Sequence, residues 1–304
     1  MRIASRAEPI VASTSNGASE GKGRAPLRPR VPRLAFEGVR RHWFAGSRGA
    51  TQVANGVNLL FPAGERFFIR SVRHYLDRVS PELAAQVKGF FGQEGRHAQA
   101  HERLFDTLRA QGFDVDAILA RYEHVAYDYI EKAAPPALRL AVTVALEHFT
   151  AIMAEDALAA DALAHADPEI RRLLEWHAVE ELEHKAVAFD VLREVAPSYA
   201  LRMAGMVLGV ATLGGFWIWA TNELLRQEGS SILAVRGELR ELRTRAVRAG
   251  EDRVMAPIGQ RVFLRGILEY LRPGFHPDRR DHSALVARTL ARLAADGVVA
   301  PADA

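Results

Sequence analysis

From about residue 51 to residue 195, apolar residues return at three- and four-residue intervals, and no alternating apolar-polar run competes with that period. The pattern predicts helix after helix, with proline and glycine at the joints. A first long helix is expected over about residues 51–79. Ser80-Pro81 then supplies an N-cap and an N1 proline for a second helix that runs to about Gly112, because proline there lacks only an N–H that a first turn leaves unused. A shorter helix is expected over residues 116–133. Pro135-Pro136 opens a third long helix to about Ala164, and Asp167-Pro168 opens a fourth that stops before Pro197.

Beyond Pro197 the pattern changes. Residues 203–221 run without a charge from Met203 to Thr221, near the length that crosses a bilayer. Three readings stand open for this helix: a membrane span, an interfacial helix, or a buried cover. Gly205, Gly209, Gly214 and Gly215 permit close helix packing in lipid or in protein, and Trp217 and Trp219 suit a membrane interface. A charged helix over residues 231–249 and two shorter ones over 261–271 and 283–295 follow, with Arg272-Pro273-Gly274-Phe275-His276-Pro277 as a turn between the last two. The expected division is a disordered lead-in over 1–30, a helical bundle over 31–197, and an apolar helix with C-terminal helices over 198–304 that pack on the bundle or on a membrane.

Composition narrows the chemistry. The chain has 304 residues with 49% hydrophobic and 25% charged side chains, ordinary for a folded protein. Lys+Arg 40 against Asp+Glu 37 leaves +3, with arginines spread along the sequence, so nucleic acid is not an expected partner. Cysteine is absent, which removes disulfides, thiolate sites and a cysteine nucleophile and leaves histidine and carboxylates as the strong metal ligands. The first thirty residues lack the apolar run of a secretory signal, so a cytoplasmic start is expected, with membrane association through 203–221 left open.

Against this background one constellation stands out. Glu94, His97 and His101 fall at i, i+3 and i+7, within an arc of about 60° on a helix. The same arc holds Val87, Phe90, Phe91 and Leu108. In the fourth helix His177, Glu181 and His184 share an arc with Leu173, Ala188 and Val191. Glu65 shares its face with Phe61, Phe68, Val72 and Leu76, and Glu147 with Leu140, Val144, Ala151 and Leu158. Carboxylates and imidazoles on core faces cost several kcal/mol each unless something neutralises them, and a divalent metal does so.

Two helices giving one Glu each and two giving Glu-x-x-His is the ligand set of di-iron and di-manganese carboxylate bundles, which predicts an all-α, ferritin-like four-helix bundle with a connecting helix and a C-terminal helical appendage. The expected ligands are Glu65, Glu94, His97, Glu147, Glu181 and His184, on two divalent ions, iron first and manganese or zinc as alternatives. His101, His177 and Glu180 are candidate additional ligands; for the two histidines, orienting a carboxylate and a plain helix-surface role near the bundle end stand as the alternatives. His148 points about 100° away from Glu147, so it reads as structural. Tyr122, Tyr127 and Tyr129 read as packing residues, and His276 as part of a turn.

At these residues the sequence resembles a bacterial family labelled predicted metal-dependent hydrolases. The likeness rests on Asn58-Leu59-Leu60-Phe61-Pro62-Ala63-Gly64-Glu65-Arg66-Phe67-Phe68, Gln93-Glu94 with His97 and His101, Leu146-Glu147-His148, Trp176-His177 with Glu180-Glu181 and His184, and Arg272-Pro273-Gly274-Phe275-His276-Pro277. It covers about residues 30–285, and the family label implies hydrolysis. The donor set itself points first to O2-dependent oxidation of a small apolar or lipid-like substrate, such as hydroxylation or desaturation, with an electron donor as partner. Hydrolysis and metal storage without turnover are the alternatives. No His-Asp dipeptide occurs, which sets aside the helical hydrolases that use one as a metal ligand.

Overall fold

The computed structural model describes residues 24, 26–248 and 259–301. Most of the expected lead-in, residues 1–23 and 25, and the end of the charged helix at Ala249 lie outside the described residues. The described chain is all-α; its one β-type pairing is an isolated bridge between Phe44 and Ala166.

The first expected helix is two. Helix α1 (Arg48–Asn58) ends where α2 (Phe61–Arg73) begins, and a short 3-10 turn, Leu76–Arg78, follows. Pro62 has no N–H to reach the carbonyl of Asn58, so the ladder breaks there and the axis turns. Helix α3 (Pro81–Ala110) starts where expected, but the Ser80 hydroxyl bonds the Glu194 carboxylate at 2.8 Å and does not cap. Gly112, at φ +89, closes that helix in the left-handed region. Helix α4 (Val115–Glu123) is continued by a π-helical segment, His124–Glu131.

Helix α5 (Pro136–Ala159) ends five residues earlier than the periodicity suggests, just before Asp161 takes φ +50. In α6 (Pro168–His184) the Asp167 carboxylate accepts from the N–H of Glu169, as a capping aspartate should. The expected fourth helix does not run through to Pro197. It breaks after His184, where Lys185 turns out to the carbonyl of Arg280, and resumes as α7 (Val187–Val195). Then come α8 (Tyr199–Gln227), α9 (Ile232–Arg248), α10 (Arg265–Tyr270) and α11 (Ser283–Ala295).

Helix α2 packs on α3 and α5, α5 on α6, and α3 on α6 and α7, so four faces meet over one interior that holds Phe68, Val72, Val87, Phe90, Val144 and Val191. Helix α8 lies along α5, the most extensive helix pair among the described residues, and also packs on α1. Small residues permit this approach: a Cβ on Gly205 would collide with the Ala141 carbonyl, and one on Gly56 would collide with Thr221. Leu27 and Pro29, in the extended segment before α1, fill notches over Gly89 and Gly92 of α3 in the same way.

Candidate metal centre

The four inner helices bring the six expected residues to one depth. Glu65 comes from α2, Glu94 and His97 from α3, Glu147 from α5, and Glu181 and His184 from α6, all buried. His184 Nε2 lies 3.0 Å from Glu94 Oε1 and 3.5 Å from both Glu147 Oε2 and Glu181 Oε2. His97 Nδ1 lies 3.7 Å from Glu181 Oε1. His177 joins them, with Nε2 at 2.8 Å from Glu181 Oε1 and 3.6 Å from Glu65 Oε1.

Donor atoms of Glu94, Glu147 and His184 fit within 4.8 Å of one another, as do those of Glu65, His97 and His177, and a third set, Glu94, His97 and Glu181, joins the two. The cluster therefore has two adjoining donor pockets. Both carboxylate oxygens of Glu65, Glu94 and Glu147, together with Glu181 Oε2, His97 Nδ1 and His184 Nε2, are buried without a hydrogen-bond partner. Each such atom costs of the order of 1–3 kcal/mol or more, and these all face one another. Fully ionised, the four carboxylates would carry −4, which divalent cations would offset; the donor set fits such ions, with only oxygen and imidazole nitrogen present.

Electrostatics registers the crowding. Burial, then the neighbouring carboxylates, hold Glu65 and Glu147 well above the usual carboxylate value, and burial raises Glu94. Burial acts the same way on Glu181, but His184 and His177 outweigh it and keep that carboxylate well below its usual value. His184 is raised, Glu181 and Glu94 overcoming burial, whereas burial drives His97 and His101 down.

The far side of each imidazole explains the residues around the cluster. His97 Nε2 meets Glu180 Oε2 at 3.0 Å, His184 Nδ1 meets Gln93 Oε1 at 3.1 Å, and His177 Nδ1 meets His101 Nε2 at 2.7 Å. Without metal, His177 Nε2 donates to Glu181; with an ion bound, an N–H toward each of those outer acceptors would leave the opposite ring nitrogen's lone pair for the metal, the arrangement that orients metal-binding histidines. Aromatic rings stand against the imidazoles: Trp176 on His97, Phe90 on His184, and Phe61 on both His101 and His177.

Of the three additional candidates, His177 is in the cluster, while His101 and Glu180 stand behind it. Sequence reasoning missed Gln93, which also donates to Glu183 at 2.9 Å, and Arg30, whose backbone N–H reaches Glu180 Oε1 at 2.9 Å and whose guanidinium pairs with Glu183. Burial raises Glu180 to about 8 despite Arg30. His148 is buried away from the cluster on the Gly266 carbonyl, at 2.9 Å, and burial lowers it to about 4. His276 holds its turn through Asp190 at 2.9 Å.

One cavity reaches the cluster. Glu65 and Glu181 form its floor, and its walls are mainly apolar side chains from α2, α5, α8 and the π segment, among them Phe68, Leu146, Leu213 and Phe216, with Glu131 and Arg139 also lining it. Tyr122 and Tyr127, expected only to pack, also line it, with their hydroxyls 2.6 Å apart. Tyr129 points to solvent.

Fold and site together define an all-α metal-binding protein. The chain belongs to the family described as predicted metal-dependent hydrolases, whose profile matches residues 28–281. No curated protein and no solved structure matches it.

Proposed function

We propose that α2, α3, α5 and α6 form a ferritin-like four-helix bundle holding two divalent metal ions, and that the protein is an enzyme acting on an apolar or lipid-like substrate. Glu65, His97 and His177 would hold one ion, Glu147 and His184 the other, with Glu94 and Glu181 between them. The observation that carries this reading is the set of buried, unpartnered donor atoms facing one another, behind which each imidazole is fixed by a second residue.

Bound ions would supply Lewis acidity and a more acidic water for hydrolysis, or, if iron, electrons for dioxygen. The chain's own part is to seat the substrate. Apolar side chains make up most of the cavity lining; Glu65 and Glu181 present charge beside the metal ligands, and Glu131 and Arg139 also line the cavity. Hydrolysis is the first reading, because it is the activity that the family's description names. One observation favours oxidation as the second: the donors are oxygen and imidazole alone, beside a largely apolar pocket, which suits iron.

The test is to reload the stripped protein with zinc or manganese and assay it anaerobically on fatty-acyl esters. A parallel assay uses iron, a reductant and oxygen uptake. Ester cleavage without oxygen supports hydrolysis. Oxygen uptake confined to the iron form shifts the assignment to oxidation, and metal loading with neither activity leaves storage.

Loading must also expel protons. Glu65, Glu94, Glu147 and His184 all hold protons more tightly than usual in the metal-free chain, so metal competes with protons there and affinity should fall as the pH falls. Calorimetric titration at neutral pH in buffers of different ionisation enthalpy should show net proton release; a buffer-independent heat would contradict the ligand set.

A further inference from the structure

We propose that the outer face of α8 is a docking surface for an anionic lipid bilayer, on which the protein lies without spanning it. Ala204, Val207, Ala211, Gly215 and Ile218 are exposed at i, i+3, i+7, i+11 and i+14, one stripe about 20 Å long with no polar side chain. Val207 is 71% and Ile218 64% exposed, where an outward helix face in water is normally polar.

The stripe does not stand alone. Gly205 seats α8 on Ala141 of α5, and Gly266 seats α10 on Ile152 of the same helix, so both lie on the outer side of α5 and face away from it together. Trp217 touches Phe263, and the Tyr199 hydroxyl bonds the Leu271 carbonyl, which sets the segment 263–271 beside α8. Leu264, Leu268 and Leu271 of that segment are exposed and extend the apolar area. Because α8 is held lengthwise against α5, the stripe can meet a membrane only in the plane of its surface.

Charge selects the occupant. Exposed arginines rim the face: Arg121 over Trp219, Arg226 past the tryptophans, and Arg265 and Arg272 beside the leucines. The acidic neighbours Glu223 and Glu269 pair with two of these same arginines, Arg226 and Arg265, so the net positive charge of the rim rests on Arg121 and Arg272. Two copies joined face to face about a twofold axis would set these basic rims against each other, whereas anionic headgroups complement them.

The face also leads inward. A groove between α8 and the π segment shares Ile130, Thr212 and Phe216 with the walls of the cavity that ends at Glu65 and Glu181. On the function proposed above, an acyl chain would pass from the bilayer through this groove to the metal centre.

Flotation of the full chain with phosphatidylcholine vesicles, with and without phosphatidylglycerol, tests the docking independently of catalysis. The protein should float with the anionic vesicles, and nitroxide-labelled lipid should quench Trp217 and Trp219 while Trp43 and Trp176, both buried, stay bright. Val207→Glu with Ile218→Glu should weaken partitioning roughly 100-fold, with helicity and metal content unchanged. Failure of the parent chain to float, or equal flotation of the double variant, overturns the proposal. So does a dimer that the same substitutions dissociate. Normal docking in a Glu94→Ala variant that carries no metal would separate this surface from the function of the site.

Discussion

Glu94→Ala, purified alongside the parent chain without added metal, is expected to carry no stoichiometric metal while its circular dichroism stays helical. Glu94 belongs to two of the three donor sets, so its loss takes a ligand from the Glu147 and His184 pocket and from the set that joins it to the other. The fold has little to lose, because this carboxylate's close polar neighbour is His184, itself in the cluster, and burial makes its charge costly. His184→Ala should behave alike, since its Nε2 stands within 3.5 Å of three carboxylates. Glu102→Ala, on the exposed side of α3 beside Arg66, serves as the control that keeps its metal. Full metal in either core variant would refute the centre.

The second large effect is on stability. An ion present at a thousand times its dissociation constant stabilises the folded state by about 4 kcal/mol, so stripping it should lower the melting temperature by roughly 10 °C in a chain of this size. The stripped protein should then respond to substitution in the opposite sense from most core changes. Glu147→Gln, which keeps the shape and removes a repelled charge, should melt higher than the stripped parent and gain less on metal addition.

The pH dependence has a definite sign. Glu65 and Glu147 titrate above the unfolded value of 4.5, so the stability they contribute to the stripped protein is complete below that pH and is lost as the pH rises through their raised values. Melting curves of the stripped chain across that range check it. A stripped Glu147→Gln variant that melts lower than its parent would mean the carboxylate is stabilised by something other than metal.

Much of the inner architecture is written in local periodicity. The i, i+3 spacing of Glu94 with His97 and of Glu181 with His184 fixes a shared helix face whatever the tertiary fold, and the intervals of 29 residues from Glu65 to Glu94 and 34 from Glu147 to Glu181 suffice for a helix to turn and return to the same depth. What the spacing leaves out is what depends on distant chain. Arg30 reaches Glu180 across 150 residues, and Gln93 reaches His184 across 91, with no periodic trace of either contact. His177 is different: it shares the arc of Glu181 and His184, and only its place in the cluster, as against behind it, depends on how α6 sits toward α2. The expected 51–79 helix misses the break at Pro62, although the proline that removes a helix bond is its sequence sign, whereas the π segment at His124–Glu131 shows no sign in its apolar pattern.

The meshing of α5 and α8 has a mechanical consequence. With the backbone of one against small residues of the other, the two form a stiff wall, and that wall carries Glu147 on its inner side. The opposite side of the cavity is fastened more lightly, by the paired hydroxyls of Tyr122 and Tyr127 and by surface ion pairs such as Arg70 with Glu131. A bulky guest would therefore displace the irregular segment before the rigid one, making room for itself without shifting a carboxylate of the centre.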